Sequence, residues 1–136
     1  MQTVLQILKM AGGWSLGLAL KIENPPHPVL FIEAMDESGP TALPALSVAQ
    51  YSNALAMPEM SFELGLAGGA HLDPFHYRID QTGVDQWSRT ILRGHYVYLY
   101  DLHEQHERLA KQWDNDLRLQ GFAEAFARQR QQTSRV

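Results

Sequence analysis

The chain has 136 residues, with 15 acidic and 11 basic side chains, a formal net charge of −4 and no cysteine. This length fits one domain with a single core, and the lack of cysteine excludes disulfides, thiolate metal ligands and a thiol nucleophile. No stretch has the apolar length of a membrane span or the pattern of a signal peptide, so we expect a cytoplasmic protein that does not contact a membrane.

The charge is unevenly distributed along the chain. Up to Trp87 there are nine acidic and three basic residues, a net charge of −6, whereas the remainder carries +2. Affinity for nucleic acid begins with clustered lysine and arginine, which this first part lacks. We therefore expect no direct binding of nucleic acid.

The first elements are a short helix and a hairpin. Apolar residues at helical spacing predict an amphipathic helix over residues 2–11, ended by the glycines at 12–13. Strict alternation over residues 14–22 predicts a nine-residue strand. The prolines within 24–28 predict a turn, and residues 29–35 predict a second strand that pairs back on the first.

The middle of the chain predicts three more strands. Residues 46–51 are predicted to form a short strand. Alternation over 60–66 and 75–80 predicts two more strands, joined through glycines at 68–69 in a long-looped hairpin. In this pattern each strand buries one face, and the alternating acids such as Glu63 face water.

The last third of the chain predicts a strand and helices. Residues 88–100 could form one or two further strands or the first turns of the long helix. Aromatic and β-branched composition favours a strand over residues 96–99. Asp101 with Glu104 matches a capping box, which predicts a helix over 102–120 with Gly121 as the residue that ends it. The apolar residues after Gly121 indicate one further helical segment, whereas 128–136 is polar and lacks periodicity.

These elements together predict an α+β fold. We expect an antiparallel meander sheet of five to six strands, with a short N-terminal helix and a long C-terminal helix, in one domain over residues 1–127, followed by a disordered polar tail at 128–136. The helices would cover one sheet face. The other face is predicted to carry small residues that leave the backbone approachable, or simply to be solvated or closed by the C-terminal segment. The small residues are Gly17, Ala19, Ser47, Ala49, Ser61 and Gly65.

Catalytic patterns are sparse. Four histidines and one acid, His71, His76, His103, His106 and Asp73, are conceivable metal ligands. The helical pair is spaced three apart, however, and misses the spacing of four that a His-Glu-x-x-His site needs. Imidazoles at the surface and the edge of the core are the plainer interpretation, and we expect neither a metal nor a cofactor.

An acidic cluster is the second chemical possibility. Glu59, Glu63, Asp80 and Asp85 alternate along the strands of the hairpin at 58–87 and could form an acid/base or magnesium site. None of the three lysines of the chain stands in the Glu-x-Lys arrangement beside them that a common nuclease core would need.

Several short sequences resemble an uncharacterised family. They are Leu-Ser-Val-Ala-Gln-Tyr at 46–51, Pro-Glu-Met-Ser-Phe-Glu-Leu at 58–64, Phe-His-Tyr-Arg-Ile-Asp with Gly-Val-Asp-Gln within 75–86, and Lys-Gln-Trp-Asp-Asn-Asp-Leu-Arg-Leu-Gln-Gly-Phe at 111–122. The family is a domain of unknown function of bacteria and their plasmids, integrative elements and phages, and the resemblance covers about residues 30–122. Where the family tends to carry an acidic or amide residue, this chain has Ile79.

The resemblance implies a context and no catalytic residues. Small accessory proteins of mobile elements often bind and disable host machinery, including restriction and CRISPR systems. We therefore expect a non-enzymatic protein-binding accessory protein, most concretely an anti-CRISPR or anti-restriction inhibitor that binds a host protein or protein–nucleic acid complex, with a homodimer possible. The alternative is a small metal-dependent enzyme with Glu59, Glu63, Asp80 and a histidine on the 58–87 hairpin. The predicted contact residues are Glu33, Glu37, Asp85, Gly17, Ala19, Ser47 and Ala49.

Overall fold

A computed structural model describes residues 1–52, 55–65 and 71–134, with side chains up to Gln132. The predicted α+β fold is confirmed. The helices are α1 (Gln2–Met10), α2 (Tyr100–Gln120) and α3 (Phe122–Ser134). Six strands pair antiparallel with their sequence neighbours: β1 (Ala19–Asn24), β2 (His27–Ala34), β3 (Ala45–Ser52), β4 (Leu55–Leu64), β5 (Leu72–Ile79) and β6 (Val84–Trp87). A separate two-stranded sheet consists of β7 (Arg89–Leu92) and β8 (His95–Tyr98).

The core lies between the helices and one face of the six-stranded sheet, which we call the helix face. Alternate residues of the strands meet the apolar stripes of the helices there. Phe62 of β4 is fully buried, and Trp113 of α2 packs over the sheet and donates a 2.9 Å hydrogen bond from Nε1 to Gln50 Oε1. The fully buried aliphatic members are Val4, Ile7, Ile22, Leu30, Ile32, Leu46, Val48, Met60 and Leu117.

The predicted nine-residue strand at 14–22 is wrong in its first half. The chain turns around Gly17, which has a φ of +87°, and β1 starts only at Ala19. Trp14 packs against the core and donates from Nε1 to the Ala45 carbonyl at 2.9 Å. Trp14 and Leu18 therefore pack against the core, whereas Leu16 is 70% exposed.

A bulge changes which residues β5 buries. Ser61 is opposite His76 and Phe62 is opposite Pro74, so Phe75 is an extra residue in the ladder. The ring of Phe75 lies 6.1 Å from that of Trp87 and outside the helix-face core. The simple alternation predicted for 75–80 fails at this point.

The C-terminal region follows the prediction except at the start of α2 and in the polar tail. The strand expected over 96–99 is β8, and Gly121 ends α2 in the left-handed region with a φ of +81°. The predicted capping box is wrong, because the N-cap is Leu99, without a side-chain cap, and Asp101 lies inside the first turn.

The polar tail expected from residue 128 is helical up to Ser134, as part of α3. Gln129 Nε2 donates to the Lys21 carbonyl of β1 at 3.0 Å, and the Arg130 guanidinium lies 5.8 Å from the Phe126 ring centroid. Polar residues make these contacts, so the absence of apolar periodicity led to the wrong prediction of a tail. Residues 135–136, like the glycines at 68–69, lie outside the described residues. None of the described helices combines the length and the apolar character needed to cross a bilayer.

Candidate functional site

The face of the six-stranded sheet opposite the helices, here called the open face, is built from two rows of cross-strand partners. Directly paired residues of antiparallel strands point to the same side of a sheet, so the register assigns the members. One row runs Ala19, Glu33, Ser47, Ser61, His76 and Trp87. The second row runs Lys21, Phe31, Ala49, Glu59, Arg78 and Asp85.

The structure brings five of the seven predicted contact residues into these two rows. They are Ala19, Glu33, Ser47, Ala49 and Asp85. The two others flank the rows in sequence: Gly17 lies in the turn before β1, and Glu37 lies in the loop after β2. Glu33, Glu37 and Asp85 are exposed to solvent. Residues that are far apart in sequence therefore share one surface.

Acidic side chains outnumber basic ones on the open face. Lys21 pairs with Glu23 at 3.6 Å. Arg78 is shared between two acids, with Nη2 lying 2.6 Å from Glu59 Oε2 and Nε lying 3.1 Å from Asp80 Oδ1. Five acids, Glu23, Glu33, Glu59, Asp80 and Asp85, thus accompany two bases, Lys21 and Arg78.

The Arg78 and Glu59 pair is close but incompletely hydrogen-bonded. Glu59 Oε2 and Arg78 Nε are both inaccessible to water, and neither has a hydrogen bond of acceptable geometry to a described residue. Buried polar atoms of native proteins are nearly always hydrogen-bonded, so such atoms require an explanation. Here each atom lies within ion-pair distance of an opposite charge, which compensates its burial.

Aromatic side chains on this face were missed by the sequence analysis. The Phe31 and Tyr51 rings meet edge to face at 5.5 Å, and Trp87, with 45% of its surface exposed, stacks on His76 at 4.1 Å. Burial, followed by the charge of Glu59, raises the pKa of Tyr51. The turn glycine Gly83 after β5 was the available signal that a further strand would carry Trp87 to this face.

His76 and Asp85 form the most direct acid–imidazole contact on the open face. His76 Nε2 lies 2.5 Å from Asp85 Oδ1, and His76 is buried whereas Asp85 is exposed. Asp85 and Trp87 together hold the imidazole in place. Asp85 is therefore engaged within the chain and still accessible to a partner.

At one corner the open face is covered, and this contradicts the expectation that Glu63 faces water. Glu63 is 1% exposed and accepts hydrogen bonds from Arg89 Nη1 at 2.6 Å, from Thr41 N at 3.0 Å and from Leu43 N at 3.2 Å. Burial alone would raise its pKa, but the bonds from Thr41, Arg89 and Leu43 lower it overall. A Cβ at Gly39 would collide with the Glu63 side chain, so the loop closes over the carboxylate only because this residue is glycine.

A second polar chain continues from Arg89 to the surface of α2. Arg89 Nη2 lies 3.3 Å from Asp73 Oδ2, and Asp73 Oδ1 lies 2.6 Å from His103 Nε2. His103 Nδ1 is 3.1 Å from both the Tyr98 hydroxyl and Glu107 Oε1. Partial burial and the charges of Glu107 and Asp73 raise the pKa of Tyr98, so its phenol stays protonated and is a poor nucleophile.

Three of the four histidines considered as metal ligands are engaged in separate contacts, and the fourth, His71, is exposed. His103 pairs with Asp73, His76 with Asp85, and fully buried His106 contacts Ser88 Oγ at 2.9 Å and Gln86 Oε1 at 3.1 Å. Burial, then the charges of His103 and His76, lower the pKa of His106 to about 4. Within the part of the chain that the structure describes, no three histidine or acidic side chains are grouped to hold a metal ion.

The acids considered for the enzymatic alternative are also separated. Glu59 contacts Arg78, Glu63 is enclosed with Arg89, and Asp80 Oδ2 accepts a hydrogen bond from Ala56 N at 2.8 Å. Glu59 and Asp80 flank the same arginine, Arg78, whereas Glu63 is enclosed apart from them with Arg89. The three do not converge on one reacting position.

Comparison with known proteins identifies the family. The chain belongs to DUF6908, a domain of unknown function, whose family model matches residues 2–123. No curated protein and no solved structure matches the chain. The matched range includes α1, both sheets and α2, so the open face lies wholly within the family domain.

Proposed function

We propose that this chain is a non-enzymatic binding protein that uses its open face to cover a basic surface of a partner protein. The observation that carries the proposal is the composition of the open face, where five acids, three in the two rows and Glu23 and Asp80 beside them, accompany two bases, and where Trp87 is exposed among them. Complementary potentials speed association and select the partner, and buried aromatics supply much of the affinity at interfaces.

The centre of the open face suits the approach of a positively charged side chain. Ser47, Ala49 and Ser61 are small and occupy neighbouring strands, whereas Glu33 and Glu59 flank them. Glu33 is exposed to solvent, whereas the Glu59 carboxylate is already paired with Arg78. An arginine of the partner, with its planar set of donors, is the side chain best suited to the Glu33 carboxylate.

Inhibition of a host defence complex is the most concrete form of this function. The proposal takes its context from the resemblance to a family that occurs in bacteria and their mobile elements. Small accessory proteins of mobile elements often disable restriction or CRISPR machinery. Those complexes hold nucleic acid on basic surfaces, which an acidic face can occupy in its place. The proposed setting is the cytoplasm of a bacterial host.

The test is capture of the partner, followed by measured binding of that partner to charge-reversed variants. We expect Glu33→Lys to weaken binding about tenfold at roughly 0.05 M salt, mainly through a slower association rate, because long-range attraction acts on encounter. Raising the salt to about 0.5 M should remove most of the difference, since the screening length shrinks severalfold over that range.

The matched control is Asp116→Lys, an identical change of net charge at an exposed position of α2. It should leave the association rate within about twofold of the parent, because its charge is on the helix side of the domain. An equal effect of the two variants would show that only net charge matters. Salt-independent binding of the parent would remove the electrostatic mechanism altogether.

A further inference from the structure

The outer strand of the open face, β6, carries an exposed tryptophan beside an exposed aspartate. Trp87 and Asp85 are two residues apart on this strand, so their side chains project to the same side of the sheet. Trp87 has 45% of its surface exposed, and the Asp85 side chain has 59%. An aromatic ring and a carboxylate therefore lie next to each other at the edge of the open face.

His76 of the neighbouring strand β5 holds both side chains. Its ring stacks on the Trp87 ring with a centroid distance of 4.1 Å, and its Nε2 lies 2.5 Å from Asp85 Oδ1. The Phe75 ring, 6.1 Å from that of Trp87, supports the indole further. His76 and Phe75 are buried, so the indole and the carboxylate are fixed before a partner arrives.

Each of the two groups keeps a part that the chain itself does not use. His76 covers one face of the Trp87 indole, and the exposure of this residue leaves the opposite face to solvent. The Trp87 indole N–H donates to no described residue, unlike the indole N–H groups of Trp14 and Trp113. Asp85 Oδ2 likewise accepts no hydrogen bond from a described residue.

The indole and the carboxylate in combination select a planar cation. The face of an indole attracts positive charge, and a carboxylate oxygen accepts charge-assisted hydrogen bonds. A guanidinium is flat, always charged and presents several donors in one plane, so it can stack on the ring and donate to the carboxylate at the same time. The ammonium of lysine is a point charge without a flat face to stack on the ring.

The chain's own arginine at this position is engaged elsewhere. Arg78 is the cross-strand partner of Asp85, but its guanidinium contacts Glu59 and Asp80. With histidine counted as neutral, three acids, Glu59, Asp80 and Asp85, thus accompany one base. The local charge favours an incoming cation.

We infer that Trp87, Asp85 and His76 form a recognition site for an arginine side chain of the partner protein. Trp87 stacks on the guanidinium, Asp85 Oδ2 accepts its N–H groups, and His76 is the positioning residue for both. The inference rests on the proposed function in one respect, which is that the arginine belongs to a basic surface of a partner. It adds to that function a specific contact on β6, apart from Glu33 on β2.

The test uses the full chain and a capped tripeptide, acetyl-Gly-Arg-Gly-amide, so it needs no captured partner. The chain has three tryptophans, and the indole N–H signal that is missing from the nuclear magnetic resonance spectrum of Trp87→Phe belongs to Trp87. At about 0.02 M salt we expect the peptide to shift this signal saturably, with a dissociation constant on the order of 10 mM, as suits a single side chain. The signals of Trp14 and Trp113 are internal controls and should not move.

Two further peptides separate charge from shape. Citrulline in place of arginine keeps the planar group without its charge and should bind about tenfold more weakly. Lysine keeps the charge without the plane and should bind about threefold more weakly.

Asp85→Asn keeps the size of the side chain and should weaken binding of the arginine peptide about fivefold, because the acceptor loses its charge. Asp116→Asn, at an exposed position of α2, is the matched control and should leave the affinity within about twofold of the parent. His76→Gln should reduce the preference for arginine over citrulline, which a purely structural role of His76 would leave unchanged. Melting temperatures verify that each variant is folded.

Three results would overturn the inference. Without a saturable shift of the Trp87 signal, the ring does not take a guanidinium. Equal binding of the citrulline or the lysine peptide would mean that no planar charge is recognised. A larger response to adenosine monophosphate would make the ring a platform for a nucleobase. Salt-independent binding of the captured partner would instead remove the proposed function, while the peptide titration still decides the arginine site.

Discussion

Glu59 and Glu63 lie four residues apart on the same face of β4, and each faces an arginine 2.6 Å away. The two pairs differ in what covers them. Glu63 and Arg89, the first residue of β7, are 1% and 3% exposed, and the loop before β3 closes over the Glu63 carboxylate through Thr41 N. Glu59 and Arg78 are 16% and 36% exposed on the open face. The same pair of residue types is a structural contact where it is enclosed and stays partly exposed to solvent where it is open.

Removing the enclosed carboxylate gives the largest expected effect. Glu63→Ala should lower the free energy of unfolding by about 3–5 kcal/mol, because it leaves the buried Arg89 charge with only its longer contact to Asp73. Glu59→Ala should cost only about 1 kcal/mol, because the Arg78 side chain is 36% exposed and keeps Asp80 as a partner. Denaturant titration of both variants measures the two losses in the free energy of unfolding. Equal losses would show that burial does not determine how much each pair contributes to stability.

Acidification is the second test of the difference between enclosed and open groups, because enclosed titratable groups make the stability depend on pH. The pKa of His106 is about 4, below the usual 6.5, so the folded state binds its proton less readily than the unfolded chain does. The resulting stability is complete above pH 6.5 and is lost as the pH falls toward 4, by about 3 kcal/mol in all. Glu63, with its lowered pKa, adds a further loss below about pH 4.5, which is its unfolded value.

Thermal or denaturant unfolding between pH 8 and pH 4 measures this loss. His106→Gln should be less stable than the parent at pH 8 but should lose about 3 kcal/mol less on acidification to pH 4. If the free energy of unfolding fell equally with pH in the parent and the variant, a group other than His106 would be responsible for the loss. His103→Gln is the comparison variant, because His103 pairs with Asp73 and Glu107, whereas neutral groups surround the His106 nitrogens.

The smallest effect on stability is expected at the open pair, where binding is the informative measurement. Glu59→Gln keeps the shape of the side chain and should change the free energy of unfolding by less than about 1 kcal/mol. Binding of the captured partner should nevertheless weaken severalfold, because the change removes one negative charge from the open face. Unchanged affinity, measured at low salt, would remove Glu59 from the proposed contact.

The alternation of strands β2 to β4, the apolar stripes of α1 and α2 and the glycine after α2 were all predicted from the sequence. Each depends on neighbours within a few residues, so the local pattern contains the information. The α+β class follows from their order. The small residues of the open face were also predicted, because strand alternation assigns faces without knowledge of the partners.

Only the tertiary structure decided which side of an alternating strand stays open. Glu63 belongs to a strand whose polar residues were expected to face water, but Arg89, 26 residues later in the chain, encloses it. Trp14 leaves the predicted strand because its indole bonds Ala45, 31 residues away, and Phe75 leaves the core through a bulge beside Trp87. Contacts between distant residues outweigh local periodicity at these positions, because burial and hydrogen bonding stabilise a conformation by more than strand propensity does.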